Sequence, residues 1–178
     1  MNDIVFSFFG VNDFWKKVTD MLLIATFAVL AIFVVTGLVQ LIKRKSLKKV
    51  DPEITAMVPS LVLMAAIYVI FEKFCILNYR PILIDGVAES SFPSTHTLVA
   101  VTIFGMTMLA LSKYVKNKAA RVILKVVLIA LMGVMAFGRV ASCMHWLTDA
   151  LGGVVFGADL VLVYGIILRF MKEHRKNG

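Results

Sequence analysis

Charge is what this chain has least of. Asp, Glu, Lys and Arg make up 17% of its 178 residues, against about a quarter in an ordinary soluble domain. Proline occurs four times and cysteine twice, which excludes collagen and a disulfide-built scaffold. No hydrophilic segment is long enough to make a second domain. The first twenty residues have no basic n-region and carry Asp3 and Asp13 instead, so they do not read as a cleaved signal peptide. There is no internal repeat and no low-complexity tract.

Apolar side chains fill the space instead. They form 60% of the chain, and the mean hydropathy is +0.90. Folded in water, such a chain would expose large apolar patches and aggregate; disorder is excluded by the same composition. The bilayer is the solvent that fits. A crossing takes about 20 predominantly apolar residues, and five apolar stretches are present, at 21–42, 55–71, 97–112, 122–137 and 150–170. The second and third are short for a full crossing, so their helices should extend into flanking residues. Residues 4–15 mix Phe6, Phe8, Phe9, Phe14 and Trp15 with Ser7, Asn12 and Asp13, the pattern of an amphipathic helix in the interface. The fold expected is all-α: a polytopic membrane bundle of about five transmembrane helices plus an N-terminal amphipathic helix. It forms one membrane-embedded domain over 1–178, with 1–20 interfacial and 21–178 the bundle.

The cations set the orientation. Lys43, Arg44, Lys45, Lys48 and Lys49 fill the first connection, Lys113, Lys116, Lys118 and Arg121 the third, with Lys125 just beyond, and Arg169, Lys172, Arg175 and Lys176 the tail. With five spans these regions share one face, and the positive-inside rule makes it the cytoplasm. The net charge of +8 therefore reads as topology rather than nucleic-acid binding, and the run KRKSLKK as a cytoplasmic loop. The other face keeps Lys16, Lys17, Lys73, Arg80 and Arg139.

On that other face the polar chemistry collects. Lys73 and Arg80 are seven residues apart in EKFCILNYRPI, two helical turns, which would put them on one side of a helix ended by Pro81. Two neighbouring cations suit an anion between them, and an Arg fork suits phosphate. In SFPSTHTLVAV, Pro93 and Ser94 form a helix start whose free N–H groups can bind an anion, with His96 in the first turn. In GRVASCMHWLTDALGG, His145 and Asp149 are spaced i, i+4, so the carboxylate can reach one ring nitrogen, fix the tautomer and raise the basicity of the other. Interfacial anchoring would explain the cations but not the two histidines beside them.

Lys73-x6-Arg80-Pro81, Pro93-Ser94-Thr95-His96 and Arg139-x5-His145-x3-Asp149, in this order, resemble the three-part signature of the type 2 phosphatidic acid phosphatase superfamily. The resemblance runs from Lys73 to Asp149. It implies removal of phosphate from lipid phosphates or isoprenyl pyrophosphates, with no metal and no cofactor. His145 would be the nucleophile that becomes phosphohistidine, Asp149 its orienter and His96 the acid that protonates the leaving oxygen. Lys73, Arg80, Ser94, Thr95 and Arg139 would line the phosphate. Two positions depart from the family's habit: Thr95 stands where Gly is frequent, adding bulk beside the phosphate, and Gly138 where Ser is common, removing one hydroxyl. The first span also stands where many relatives have two, leaving the amphipathic N-terminus to cover part of that surface.

The activity expected is thus a lipid phosphate phosphatase of the cytoplasmic membrane, with its site on the extracytoplasmic face and undecaprenyl pyrophosphate as first substrate. Phosphatidylglycerophosphate and phosphatidate come next. A lipid phosphotransferase is the rival within the family, and a catalytically silent lipid-binding or transport subunit the rival outside it; a binder needs cations but no nucleophile. The lipid phosphate and the bilayer are the partners implied. Elsewhere, Cys75 and Cys143 share a face where a disulfide is chemically allowed, His174 reads as a solvated tail residue, Asp159 pairs with Lys125 or a polar neighbour, and Gly152 and Gly153 permit close helix packing.

Overall fold

The computed structural model describes residues 10–84 and 86–177. Five helices in it are long and apolar enough to cross a membrane. They are α1 (Asp13–Arg44), α2 (Pro52–Phe74), α3 (Thr95–Tyr114), α4 (Lys118–Ala141) and α5 (Leu147–Asn177). The second span is composite: a turn at Pro52–Thr55, an α-helix at Met57–Val69 and a π turn at Ile70–Phe74. Among the described residues there is no strand, and the sole β pairing is the bridges Tyr79↔Ser90 and Ile84↔Val87.

Each helix outruns its apolar stretch, and the first extends furthest at its N-terminal end. Asn12 caps α1 by accepting from the Trp15 N–H at 3.2 Å, so the helix begins at Asp13 and runs unbroken through the expected boundary at residue 20. Residues 13–20 are thus the first two turns of a span. Residues 4–9 of the expected interfacial helix lie outside the described part of the chain.

Helix α3 is the axis of the bundle. It packs against α5, α4 and α1 and touches α2. Its residues from Thr97 to Thr107 are buried on every side, as a helix apolar all round should be. Leu22, Phe104, Leu128 and Met135 join it to α1 and α4, while Met57, Met106, Tyr164 and Leu168 join it to α2 and α5. The outer helices turn Ile24, Ile32, Val62, Ile123, Val126, Leu162 and Ile166 outward, the surface a bilayer would cover. Internal hydroxyls bond to carbonyls, as when Ser60 Oγ of α2 donates to Leu160 O of α5 at 3.2 Å; in hydrocarbon no water would serve them.

Close approach of α3 and α5 depends on glycine. A Cβ on Gly153 would stand 2.8 Å from Ser94 O and 3.1 Å from Leu98 N, backbone atoms that cannot swing aside. Gly157 sits one turn on, against Val101. The basic ends of α1, α3, α4 and α5 fall together with the start of α2, where Asp51, buried, accepts from Gln40 Nε2 at 2.8 Å and Arg44 Nη1 at 2.9 Å. Lys172 meets buried Glu53 there at 2.8 Å.

Candidate active site

The opposite end holds the first turns of α1, α3 and α5, the last turn of α4 and residues 75–84 and 86–94. Arg139 lies in the last turn of α4. Cys143 then takes φ +55, a left-handed turn that reverses the chain, and the His145 N–H returns to Arg139 O at 3.2 Å. Ser94 opens α3, with its N–H donating to Asp149 O of α5 at 2.9 Å. The starts of α3 and α5 are thereby tied together, and the phenyl rings of Phe71, Phe92 and Phe156 pack beside them.

His145 is 3% exposed. Its Nδ1 lies 2.9 Å from the carbonyl oxygen of Ser91, an atom that can only accept, so Nδ1 carries the hydrogen and Nε2 the lone pair. Nε2 is buried and has no hydrogen-bond partner. Asp149 Oδ2 stands 3.8 Å from Nδ1, beyond hydrogen-bond reach. The direct carboxylate–imidazole bond expected from the i, i+4 spacing is therefore replaced by a relay. Ser91 Oγ donates to Asp149 Oδ2, and Asn78 Nδ2 and the Trp146 N–H donate to the same carboxylate at 3.0 Å and 2.9 Å. Burial pushes the His145 imidazole down to about 4; positive Arg139 and Arg80 add to this, and the Asp149 carboxylate pulls the other way. At neutral pH the ring is uncharged, with a free lone pair.

The other predicted residues divide. Arg139, 2% exposed, gives Nη1 to Asp20 Oδ1 at 3.3 Å and to Thr19 Oγ1 at 3.4 Å, while its Nε is buried without a partner. Arg80 Nε lies 3.2 Å from Glu89 Oε2 but off the hydrogen-bond direction, and it too is unpartnered. His96, half-buried in the first turn of α3, faces Asp20 Oδ1 through Nε2 at 3.1 Å. The guanidinium groups of Arg139 and Arg80 both act on that ring. Ser94 is fully buried, does not cap its own helix, and accepts from Thr97 Oγ1 at 3.1 Å; Thr95 is half-buried beside it.

Lys73 departs from its expected place. The helix ends at Phe74 in the π turn, and Arg80 follows on an extended segment where its N–H bonds Glu89 O at 3.1 Å. The two cations therefore do not share a helix face, and Lys73 is exposed, with no hydrogen-bond or ion-pair partner among the described residues. Cys75 is exposed and Cys143 buried, and the allowed disulfide between them is not formed. Asp159 is exposed on α5 and has no ion pair with Lys125 among the described residues. His174 lies in the tail and stacks on Phe170.

Ser91, Asn78, Thr19 and Asp20 are the site residues that the motifs missed. The first two sit in a segment with no periodicity, and the last two in a helix outside the signature. Three buried nitrogens without a hydrogen-bond partner, on His145, Arg139 and Arg80, come from three segments to one end of the bundle. Orphaned polar atoms of this kind need an explanation, and an anionic ligand supplies one.

No curated protein matches the chain. A solved structure, titled as that of the first transmembrane PAP2 type phosphatidylglycerolphosphate phosphatase from Bacillus subtilis, shares the fold with a TM-score of 0.66 at 16% identity, over 91% of this chain and 79% of that one. The profile of the PAP2 superfamily matches residues 44–173. The chain belongs to the PAP2 superfamily.

Proposed function

We propose that this PAP2-superfamily hydrolase is a metal-independent lipid phosphate phosphatase that works through a phosphohistidine on His145, with undecaprenyl pyrophosphate as its substrate. The observation that carries the reading is the buried, unpartnered Nε2 of His145 in the tautomer that leaves its lone pair free. A binding subunit would need the cations but not that atom.

In the first step the Nε2 lone pair attacks phosphorus. The bond from phosphorus to the lipid oxygen breaks, and that oxygen takes a proton from His96. In the second step water attacks the phosphohistidine. The P–N bond breaks, the water's proton passes to His96, and inorganic phosphate leaves. Phosphoryl transfer depends mainly on positioning and charge neutralisation, and Arg139, Arg80 and the start of α3 would supply the charge. Ser94, Thr95 and Lys73 complete the assignment, Lys73 by swinging in from the exposed π turn.

An extracytoplasmic site follows from the basic ends of the helices lying opposite, and it suits recycling of a carrier lipid in the cytoplasmic membrane. The name of the Bacillus subtilis structure favours phosphatidylglycerophosphate as the second reading.

Phosphate release from a panel of lipid phosphates in detergent, with EDTA present, tests this. Release from undecaprenyl pyrophosphate should persist at the highest kcat/KM of the panel, and be lost in His145→Ala. Loss on chelation restored by Mg²⁺ refutes the mechanism. Preference for phosphatidylglycerophosphate installs the second reading, and transfer to a lipid acceptor makes the protein a phosphotransferase.

A further inference from the structure

We propose that Asp20 is a positioning residue of this site, a carboxylate that holds the Nε2–H of His96 so that Nδ1 is the nitrogen that exchanges the proton; the inference rests on the phosphatase reading above. Asp20 belongs to α1, outside the three motifs and ahead of the segment matched by the family profile. Its single oxygen Oδ1 nonetheless stands 3.1 Å from His96 Nε2 and 3.3 Å from Arg139 Nη1. The neighbouring acids are engaged elsewhere, Asp149 by Ser91, Asn78 and Trp146 and Glu89 by Arg80.

The approach of α1 to this spot is built into the packing. A Cβ on Gly138 of α4 would come within 2.6 Å of Thr19 Cγ2 and 3.1 Å of Trp15 Cε3. The position where this chain departs from the family's serine is thus the one where α1 closes on α4. Thr19 Oγ1 donates back to Lys16 O at 2.9 Å and receives Arg139, so the turn that presents Asp20 is fixed from both sides. The same tight contact that removes a hydroxyl from α4 brings in a carboxylate from α1.

The groups facing His96 are Asp20 from α1, Arg139 from α4, neutral His145 from the α4–α5 connection and Arg80 from the segment before α3. The arriving phosphate anion favours the doubly protonated ring. An imidazolium bears hydrogen on both nitrogens. With Nε2–H held by Asp20, Nδ1–H is the one transferred to the leaving oxygen. The ring is then neutral with Nε2–H still on Asp20, and bare Nδ1 takes the proton from the attacking water. Asp20 keeps its charge throughout. This is the role that an orienting acid plays for a catalytic imidazole, applied to the acid histidine.

The test measures kcat and KM separately for wild type, Asp20→Asn, Asp20→Glu, His96→Ala and the His96→Ala/Asp20→Asn double variant. Substrates are phosphatidate, which expels an alkoxide and needs the proton, and undecaprenyl pyrophosphate, which expels a phosphate ester and does not. General acids typically contribute about 10²–10⁴-fold, so Asp20→Asn should cut kcat on phosphatidate by about tenfold or more and on the pyrophosphate by less than about threefold. Asp20→Glu should recover most of the rate. In the His96→Ala background the Asn substitution should add no further loss, and inhibition by inorganic phosphate should not weaken. Equal losses on both substrates with weaker phosphate inhibition would show that Asp20 merely props Arg139, and unchanged kcat would remove it from the reaction; either overturns the inference while His145-dependent turnover of the wild type leaves the phosphatase reading standing. A wild type inert on both lipids and on phosphatidylglycerophosphate overturns the two together.

Discussion

His145 owes its readiness to a main-chain atom. The Ser91 carbonyl fixes hydrogen on Nδ1 at 2.9 Å, while the Asp149 carboxylate stabilises the serine and asparagine around it. Because burial lowers the imidazole to about 4, the ring is neutral above that pH and loses its lone pair to a proton only as the pH falls through it. In ¹⁵N-histidine NMR of the protein in detergent, the His145 signals should be those of a neutral Nδ1–H ring from pH 8 down to about 5, with a midpoint near 4. A midpoint near the ordinary value of about 6.5 would mean an open, solvated ring. The i, i+4 spacing pointed to His145 and Asp149 as neighbours, but His145 lies two residues ahead of α5, so helix geometry does not set their contact. The spacing could not show Ser91 between them, because that contact depends on how an aperiodic segment pairs Tyr79 with Ser90.

The existence of the five spans was legible, because apolar runs are a property of composition. The end of α2 was not. A seven-residue spacing looks helical, but the π turn at Ile70–Phe74 and the bridges beyond it place Lys73 and Arg80 on different backbone. Nor was the reach of α1, whose polar first turns read as a separate interfacial helix until Asn12 proved to cap the whole span. The α3–α5 contact was readable from its glycines. Gly153→Ala places a methyl against Ser94 O and Leu98 N and should cost about 1–3 kcal/mol by overpacking. Gly133, with nothing within 4 Å of a Cβ, is the control; Gly133→Ala should raise stability by a few tenths to about 1 kcal/mol through helix propensity. Thermal unfolding of both variants in detergent decides the matter. A Gly153→Ala protein as stable as wild type would show that α3 and α5 can part without loss.

Taken whole, the molecule is polarised. One end carries the basic clusters and the Asp51 network, whose carboxyl is held below its usual range; burial works against this, but hydrogen bonds from Arg44 and Gln40 outweigh it. The other end carries the site. With Cys75 and Cys143 replaced, Val87→Cys should react with an impermeant thiol reagent in intact cells and Lys116→Cys should not; reversed labelling would invert the proposed orientation. The central claim is the covalent bond at His145. Brief incubation with lipid carrying ³²P at its terminal phosphate, followed by an alkaline quench, reads it directly. Wild type should hold an acid-labile, alkali-stable label that maps to His145 and is absent from His145→Ala, whereas a label on another residue, or its survival in His145→Ala, would contradict the account.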